Sequence, residues 1–302
     1  MKLVFLGTGG TYPSKLRNVT SIAVQMPGEV LMFDCGEGTQ RQLMHSSVSF
    51  MKISKVFITH LHADHFLGLP GLIQSMSLNG REDPLLIFGP QGTKANVSSM
   101  LRLGYFQCVF EVKTRDLKAG AEQVFEGYKI RTRQASHSVP SLAYSLEEER
   151  RPGRFDVKKA ARLGIPEGPL FRKLQDGKTV TIAGRKIVPA EVLGPPRPGR
   201  RVVYTGDTKP SKVIAALARG ADVLIHDCTL DLSHSKLASD FGHSTAAGAA
   251  RVAKAAGVGI LFLVHISPRY DDTSILETEA RAIFPESHVA EEFYEHVVKL
   301  RE

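Results

Sequence analysis

The chain has no apolar run near the ~20 residues that a membrane-spanning helix needs, so no membrane association is expected. Met1 to Leu6 carries one Lys and only four consecutive apolar residues, too few for the apolar region of a secretory signal. Cysteine is scarce as well. Cys35, Cys108 and Cys228 are far apart, odd in number and without CxxC spacing. They read as reduced thiols of a cytoplasmic protein. Nucleotide fingerprints are missing too. Gly7-Thr8-Gly9-Gly10 follows the strand-like Leu3-Val4-Phe5-Leu6, but completes neither GxGxxG nor GxxxxGK[ST]. It reads as a tight turn, and no nucleotide cofactor is expected. The length, 302 residues, suits one large or two ordinary domains. Positive charge is abundant: the formal net charge is +8, compatible with a polyanionic partner.

What the chain does have is Thr59-His60-Leu61-His62-Ala63-Asp64-His65, three imidazoles and a carboxylate within six residues. The apolar Val56-Phe57-Ile58 precedes it and reads as a buried strand. Imidazole and carboxylate are ligands of open, catalytic zinc sites. His60 and His62 lie two apart in an extended segment and point the same way. Asp64 and His65 are adjacent, point differently, and suit a second ion.

Partners recur further along, mostly after apolar runs. Tyr128 to Arg133 alternates like a strand and delivers His137. Val202-Val203-Tyr204 leads to Asp207, Val223-Leu224-Ile225 to His226 and Asp227, and Ile260 to Val264 to His265. Sites in α/β architectures form outside the carboxyl ends of strands, so distant positions can meet on one rim. The set then assigns His60, His62 and His137 to one ion, Asp64, His65 and His265 to the other, and Asp207 as the bridge. Asp34, after the expected hairpin of Ile22–Val24 and Val30–Phe33, reads as a support for the histidines. Ser244 or Thr245 is expected to cap an Ala-rich helix reaching about Ala256. Glu277–Phe284 and Val289–Leu300 are expected as closing helices.

Between Glu147 and Arg201 the character changes. These 55 residues hold seven Pro, seven Gly, fourteen Lys and Arg, and seven Asp and Glu. The excess of seven positive charges is nearly the whole chain's net charge. A long irregular segment of this kind is either a solvated insertion or an arm that grips a polyanion through its phosphates. Leu163 to Leu170 would form its ordered tip.

The His-x-His-x-Asp-His motif with a later His, Asp and His resembles the metallo-β-lactamase fold superfamily. Within it the chain is similar, nearly end to end, to the ribonuclease Z family, endonucleases that mature transfer-RNA 3′ ends. The likeness is carried by Phe5-Leu6-Gly7-Thr8-Gly9, Pro13-Ser14-Lys15-Leu16-Arg17-Asn18 and Asp34-Cys35-Gly36-Glu37-Gly38-Thr39-Gln40. Gly164-Ile165-Pro166-Glu167-Gly168-Pro169-Leu170, Phe241-Gly242-His243-Ser244-Thr245 and His265-Ile266-Ser267-Pro268-Arg269-Tyr270 also match.

The resemblance implies an α/β fold, a metallo-β-lactamase-like four-layer αββα sandwich over 1–302. It implies that 147–195 is an inserted flexible arm, a tRNA-binding exosite using Gly164, Pro166, Gly168 and Pro169. It further implies a homodimer in which one subunit's arm serves the other's site. The implied activity is zinc-dependent cleavage of the 3′ trailer from precursor tRNA, with two zinc ions per subunit. Asp64 would take the proton of the attacking water, and His243, oriented by Asp227, would protonate the leaving oxygen. Arg17, Asn18 and Arg269 are either phosphate and acceptor-stem contacts or loop stabilisers. The chain departs from the family at His226-Asp227-Cys228-Thr229, where Glu is usual in place of Asp227. The substitution keeps the carboxylate and shortens its reach toward His243 by a methylene. The rival readings are a zinc phosphodiesterase for small phosphodiesters, which would not need the arm, and an RNA-binding scaffold with a dead site, which would lack ligands.

Overall fold

Alternation within the strands builds two sheets that face each other. In the computed structural model, which describes residues 1–301, β1 (Lys2–Gly7) sends Leu3 and Phe5 to one face and Val4 and Leu6 to the other. β2 (Ser21–Met26) and β3 (Glu29–Phe33) form the expected hairpin, and α1 (Thr39–His45) follows. β4 (Ile53–Phe57) leads through α2 (Ala63–Phe66) and α3 (Leu69–Leu78) to β5 (Leu85–Gly89). α4 (Thr93–Met100) and β6 (Val112–Asp116) complete this half. Strands β3 to β6 are parallel neighbours.

The second sheet starts with β7 (Glu122–Phe125), β8 (Tyr128–Gln134) and β9 (Leu142–Glu148), all antiparallel. The arm follows with α5 (Val157–Arg162), α6 (Pro169–Gln175), β10 (Val180–Ile182) and β11 (Arg185–Ile187). β12 (Arg201–Tyr204), α7 (Lys212–Ala218), β13 (Val223–Asp227), α8 (Ser235–Phe241), α9 (Ala246–Ala256) and β14 (Ile260–Val264) come next. The chain closes with α10 (Ser274–Arg281), β15 (Ser287–Val289) and β16 (Glu295–Val297). The two large sheets run β16-β1-β2-β3-β4-β5-β6 and β15-β14-β13-β12-β9-β8-β7.

Phe5, Phe57, Tyr144, Tyr204 and Phe262 fill the space between the sheets. Ile58, Leu72, Ile73 and Met76 pack on the outer face of the first sheet. Val203, Leu224, Leu261 and Leu263 pack on the Ala-rich α9 outside the second. This is the expected αββα order. Both faces of the central strands are covered, which is why they read as continuous apolar runs. Each fully buried aromatic or aliphatic side chain contributes about 1.5–3 kcal/mol. The Tyr144 hydroxyl donates to the Ile58 carbonyl (2.6 Å) and that of Tyr204 to the Asp34 carboxylate (2.7 Å), so both phenols are satisfied in the core.

Two expectations fail. Val289–Leu300 is no helix. Its first residue ends β15, and Glu295–Val297 forms β16, which pairs with β1. The pairing competes successfully with a segment too short and too broken in pattern to hold a helix alone. The arm also holds more regular structure than its composition suggests. Its helices span six and seven residues and its strands three. Such lengths show no readable period. Ala160, Ile165, Leu174, Val180, Ile187 and Val192 form a separate small core there, with Phe155 against Phe171 at its side. Isolated bridges Arg151↔Arg197 and Phe155↔Leu193 tie its stalk. At the root, Arg200 pairs with Glu148 (2.5 Å) and Arg201 with Glu147 (3.2 Å). These pairs remove two charges of each sign and leave the arm's positive excess intact.

Candidate metal centre

The directions of the strands explain the rim. β8 and β12 are both antiparallel to β9, so they run the same way. β12, β13 and β14 are parallel. Their carboxyl ends present His137, Asp207, Asp227 and His265 together. β4, from the facing sheet, delivers His60, His62, Asp64 and His65 to the same place.

The ligand-type atoms converge in two groups. His62 Nδ1 lies 3.0 Å from His60 Nε2 and 3.3 Å from His137 Nε2. Asp207 Oδ2 lies 3.6 Å from His60 Nε2. In the second group, Asp64 Oδ2 is 3.5 Å from His65 Nε2 and 3.4 Å from His265 Nε2. Asp207 belongs to both: its Oδ1 is 3.4 Å from His65 Nε2 and its Oδ2 3.2 Å from His265 Nε2. His226, also named from its place after a strand, turns elsewhere. It is buried within β13 and its Nδ1 donates to the Asp227 carbonyl.

The other ring nitrogens fix the tautomers. Asp34 accepts from His65 Nδ1 (2.7 Å), and the Gly242 carbonyl from His137 Nδ1 (3.0 Å). Thr59 Oγ1 donates to Asp34 (2.8 Å) and so accepts from His60 Nδ1 (3.1 Å). Thr229 Oγ1 donates to Asp227 (2.7 Å) and accepts from His265 Nδ1 (2.9 Å). Four Nδ1 atoms are thereby donors, and the four Nε2 atoms face the centre, the orientation that metal-binding imidazoles require. Sequence reasoning singled out Asp34 but gave Thr59 and Thr229 no role. Thr59 is adjacent to a ligand, but Thr229 is 36 positions from the histidine it supports, and neither carries a signal of its own.

The donor set fits a metal. His65 Nε2 and Asp207 Oδ1 are buried and have no hydrogen-bond partner. Orphans of this kind are costly unless a cation meets them. Burial holds His60 well below the usual imidazole range, aided by the charge of His65. Burial also works against a charged His65, yet Asp207 and Asp34 outweigh it and raise it well above that range. His65 and Asp207 would hold a metal ion here with the imidazole in its neutral form, the form in which His binds metal.

Backbone strain concentrates here. Five non-glycine residues have positive φ among the described residues, and three are Thr11, Asp34 and His265. Thr11 is β-branched, so its φ of 73° is a genuine outlier. Its N–H donates to Asp64 Oδ2 (2.8 Å). Gly10 leaves room for His265: a Cβ there would strike the imidazole ring.

His243 and Asp227 join Asp207 and His265 in a third, overlapping group. His243 Nδ1 lies 2.9 Å from Asp227 Oδ2. The shorter carboxylate therefore reaches His243 directly. Asp227 also accepts from Thr208 N–H (3.0 Å) and Thr229 N–H (2.9 Å), so its oxygens are committed to this hydrogen-bond network. Burial works against a charged His243, but Asp227 raises it to about 9. Its side chain is 15% exposed, whereas Asp227 is closed off.

The remaining expected residues sit apart from the ligands. Arg17 Nη1 donates to Thr8 Oγ1 (2.6 Å) and the Ala290 carbonyl (2.8 Å), and Asn18 Nδ2 to the Glu37 carbonyl (2.8 Å). These contacts hold loops. Arg269 is exposed, with Nε donating to Ser267 Oγ (3.2 Å). Gly164, Pro166 and Gly168 are exposed between α5 and α6 on the arm, and the exposed Pro169 begins α6.

Family models match at two places: the anti-Pycsar protein Apyc1 over residues 1–148 and the β-lactamase superfamily domain over 188–266. Ribonuclease Z of Methanosarcina acetivorans is 45% identical over 302 residues, covering 100% of this chain and 99% of that protein. Ribonuclease Z of Bacillus licheniformis is 42% identical, covering 99% of each. The crystal structure of human tRNase Z, short form, superposes with a TM-score of 0.73 at 28% identity, over 99% of this chain and 100% of that one. The metallo-β-lactamase fold protein YhfI of Bacillus subtilis shares the fold, with a TM-score of 0.71 at 20% identity over 98% of each chain. With its sandwich, its His and Asp metal-ligand cluster and these full-length relatives, the chain belongs to the ribonuclease Z family of the metallo-β-lactamase fold.

Proposed function

We propose that this chain cuts the 3′ trailer from precursor tRNA, leaving a 3′-hydroxyl on the tRNA and a 5′-phosphate on the trailer. One observation carries the reading: the His243–Asp227 pair stands beside the metal-ligand cluster on one rim, in a chain with full-length ribonuclease Z relatives. His60, His62 and His137 would hold one zinc ion, Asp64, His65 and His265 the other, and Asp207 both. Zinc in such a site supplies a nucleophilic water at neutral pH and neutralises charge on the phosphoryl oxygens.

The chain's own residues do the rest. Asp64, held by the Thr11 N–H, takes the proton of the attacking water. Asp227 grips His243 Nδ1, which leaves Nε2 free to protonate the departing 3′-oxygen. Because the 3′-oxygen leaves, the phosphate stays with the trailer. Arg269 is exposed four residues after His265 and suits a phosphate. Residues 147–195, with Gly164, Pro166, Gly168 and Pro169 at the tip, grip the tRNA body through its phosphates. RNA helices are recognised by shape, phosphate and 2′-hydroxyl. The chain acts as a homodimer, one subunit's arm serving the other's site. The three free thiols accord with the cytoplasm. A small-phosphodiester hydrolase would leave the arm without purpose.

End-labelled precursor tRNA tests the proposal, with metal content assayed on wild type and His65→Ala. Cleavage next to the discriminator base by wild type alone, with about two zinc ions per chain, is expected. A wild type that binds zinc yet leaves precursor tRNA intact rejects the proposal.

A further inference from the structure

Two exposed aromatic residues, Phe241 and Tyr12, adjoin backbone that is bonded to the metal-ligand cluster. We propose that Phe241 and Tyr12 are stacking platforms for the two unpaired nucleotides on either side of the cut. The inference rests on the tRNA 3′-processing reading and specifies what that site holds.

Five aromatic side chains are exposed among the described residues: Tyr12, Tyr105, Phe241, Phe293 and Tyr294. Only Tyr12 and Phe241 adjoin backbone that is bonded to the ligand cluster. Phe241 is 63% exposed and ends α8. The next carbonyl, that of Gly242, accepts from His137 Nδ1 (3.0 Å). Gly242 has φ +80°, and a Cβ there would come within 2.8 Å of the His137 ring. The backbone that carries Phe241 is thus pressed against a ligand. Tyr12 is 60% exposed. The preceding residue is the strained Thr11, whose N–H holds Asp64, and Tyr12 N–H donates to the Gly10 carbonyl (2.9 Å). Gly10 in turn abuts His265. Each residue therefore stands on a fixed turn, that of Phe241 bonded to His137, that of Tyr12 bonded to Asp64.

The chemistry assigns the sides. His243 protonates the leaving 3′-oxygen, which belongs to the upstream nucleotide. Phe241 precedes His243 by two residues, so it borders that nucleotide. Tyr12, whose turn is bonded to Asp64, is then assigned to the first nucleotide of the trailer. Every base has a π-face, so stacking holds a nucleotide whatever its sequence. Unpaired bases splayed onto aromatic side chains are the usual mode for single-stranded RNA. Gripping both neighbours fixes the scissile phosphorus between them, which contributes to rate through positioning.

The test uses precursor tRNAs carrying a base or an abasic residue just upstream or just downstream of the cut. On the intact substrate, Phe241→Ala should lower kcat/KM roughly 5- to 150-fold, the equivalent of about 1–3 kcal/mol for one stacked base. The upstream abasic substrate should cost wild type a similar factor and cost Phe241→Ala nothing more. Phe241→Trp should restore cleavage, and Phe241→Leu, apolar but without a π-face, should not. Tyr12→Ala should show the same non-additivity with the downstream abasic residue. If the variant and abasic losses multiply at both positions, or Leu rescues as well as Trp, the platforms are overturned. Coupling of Phe241 to the downstream nucleotide overturns the assignment of sides. Failure of wild type on every precursor tRNA rejects the parent reading, a result distinct from additivity in a wild type that cuts.

Discussion

The metal rim and the arm are built on opposite principles within one chain. At the rim, two sheets and several strand ends converge, and in four of the five ligand imidazoles Nδ1 has a defined hydrogen-bond partner. The arm hangs from two isolated bridges and rests on six small or aliphatic side chains. The rim concentrates buried polar groups, whereas the arm keeps its charges in solvent and only apolar side chains inside. Chemistry needs atoms fixed to fractions of an ångström. Grip on a polyanion needs charge at roughly the right place. The contrast teaches that the chain concentrates its structural constraint at the metal-ligand cluster, while the basic arm is an independently packed appendage.

Several substitutions break or sharpen this contrast. The largest effect is expected from Asp207→Ala. The shared carboxylate serves both ligand groups, so bound metal should fall and cleavage should drop to background, as read by metal analysis and precursor cleavage. Removing residues 152–196, between the paired Arg151 and Arg197, should come next. Precursor tRNA cleavage should be lost while a small phosphodiester is still hydrolysed, and equal loss of both activities would contradict the contrast. Thr229→Val and Thr59→Val should each weaken metal affinity or activity about 10- to 100-fold, measured by chelator competition. The smallest global effect belongs to Ile187→Ala. It should cost the arm's core about 2–5 kcal/mol, visible as faster hydrogen exchange confined to 151–197, with the melting of the sandwich unmoved.

The sequence revealed the rim far better than the arm, for physical reasons. Strands covered on both faces appear as apolar runs, and a charged residue at the end of such a run stands out, as with Asp207 and His265. The αββα order agrees with the resemblance, and the Ala-rich helix has its Thr245 cap. His226 shows the limit of that rule: it too follows an apolar run, yet it lies within the strand and is buried away from the cluster. Thr59 and Thr229 were invisible as tautomer keys because their effect depends on distances across the sheets. β16 was misread because pairing with β1, at the far end of the chain, outweighs local preference. The arm's short helices lie below the length at which periodicity can be seen.

The spread of the ligands along the chain has a temporal consequence. His60 and His265 are separated by more than 200 positions, and Asp207 falls late between them. A nascent chain that has emerged only through its first half displays the histidine-rich motif but lacks the carboxylate and imidazole that complete it. Contacts of such long sequence separation form late and slowly. The proposed nuclease therefore cannot complete its ligand set until the segment carrying His265 has been synthesised and packed beside Asp64 and Asp207.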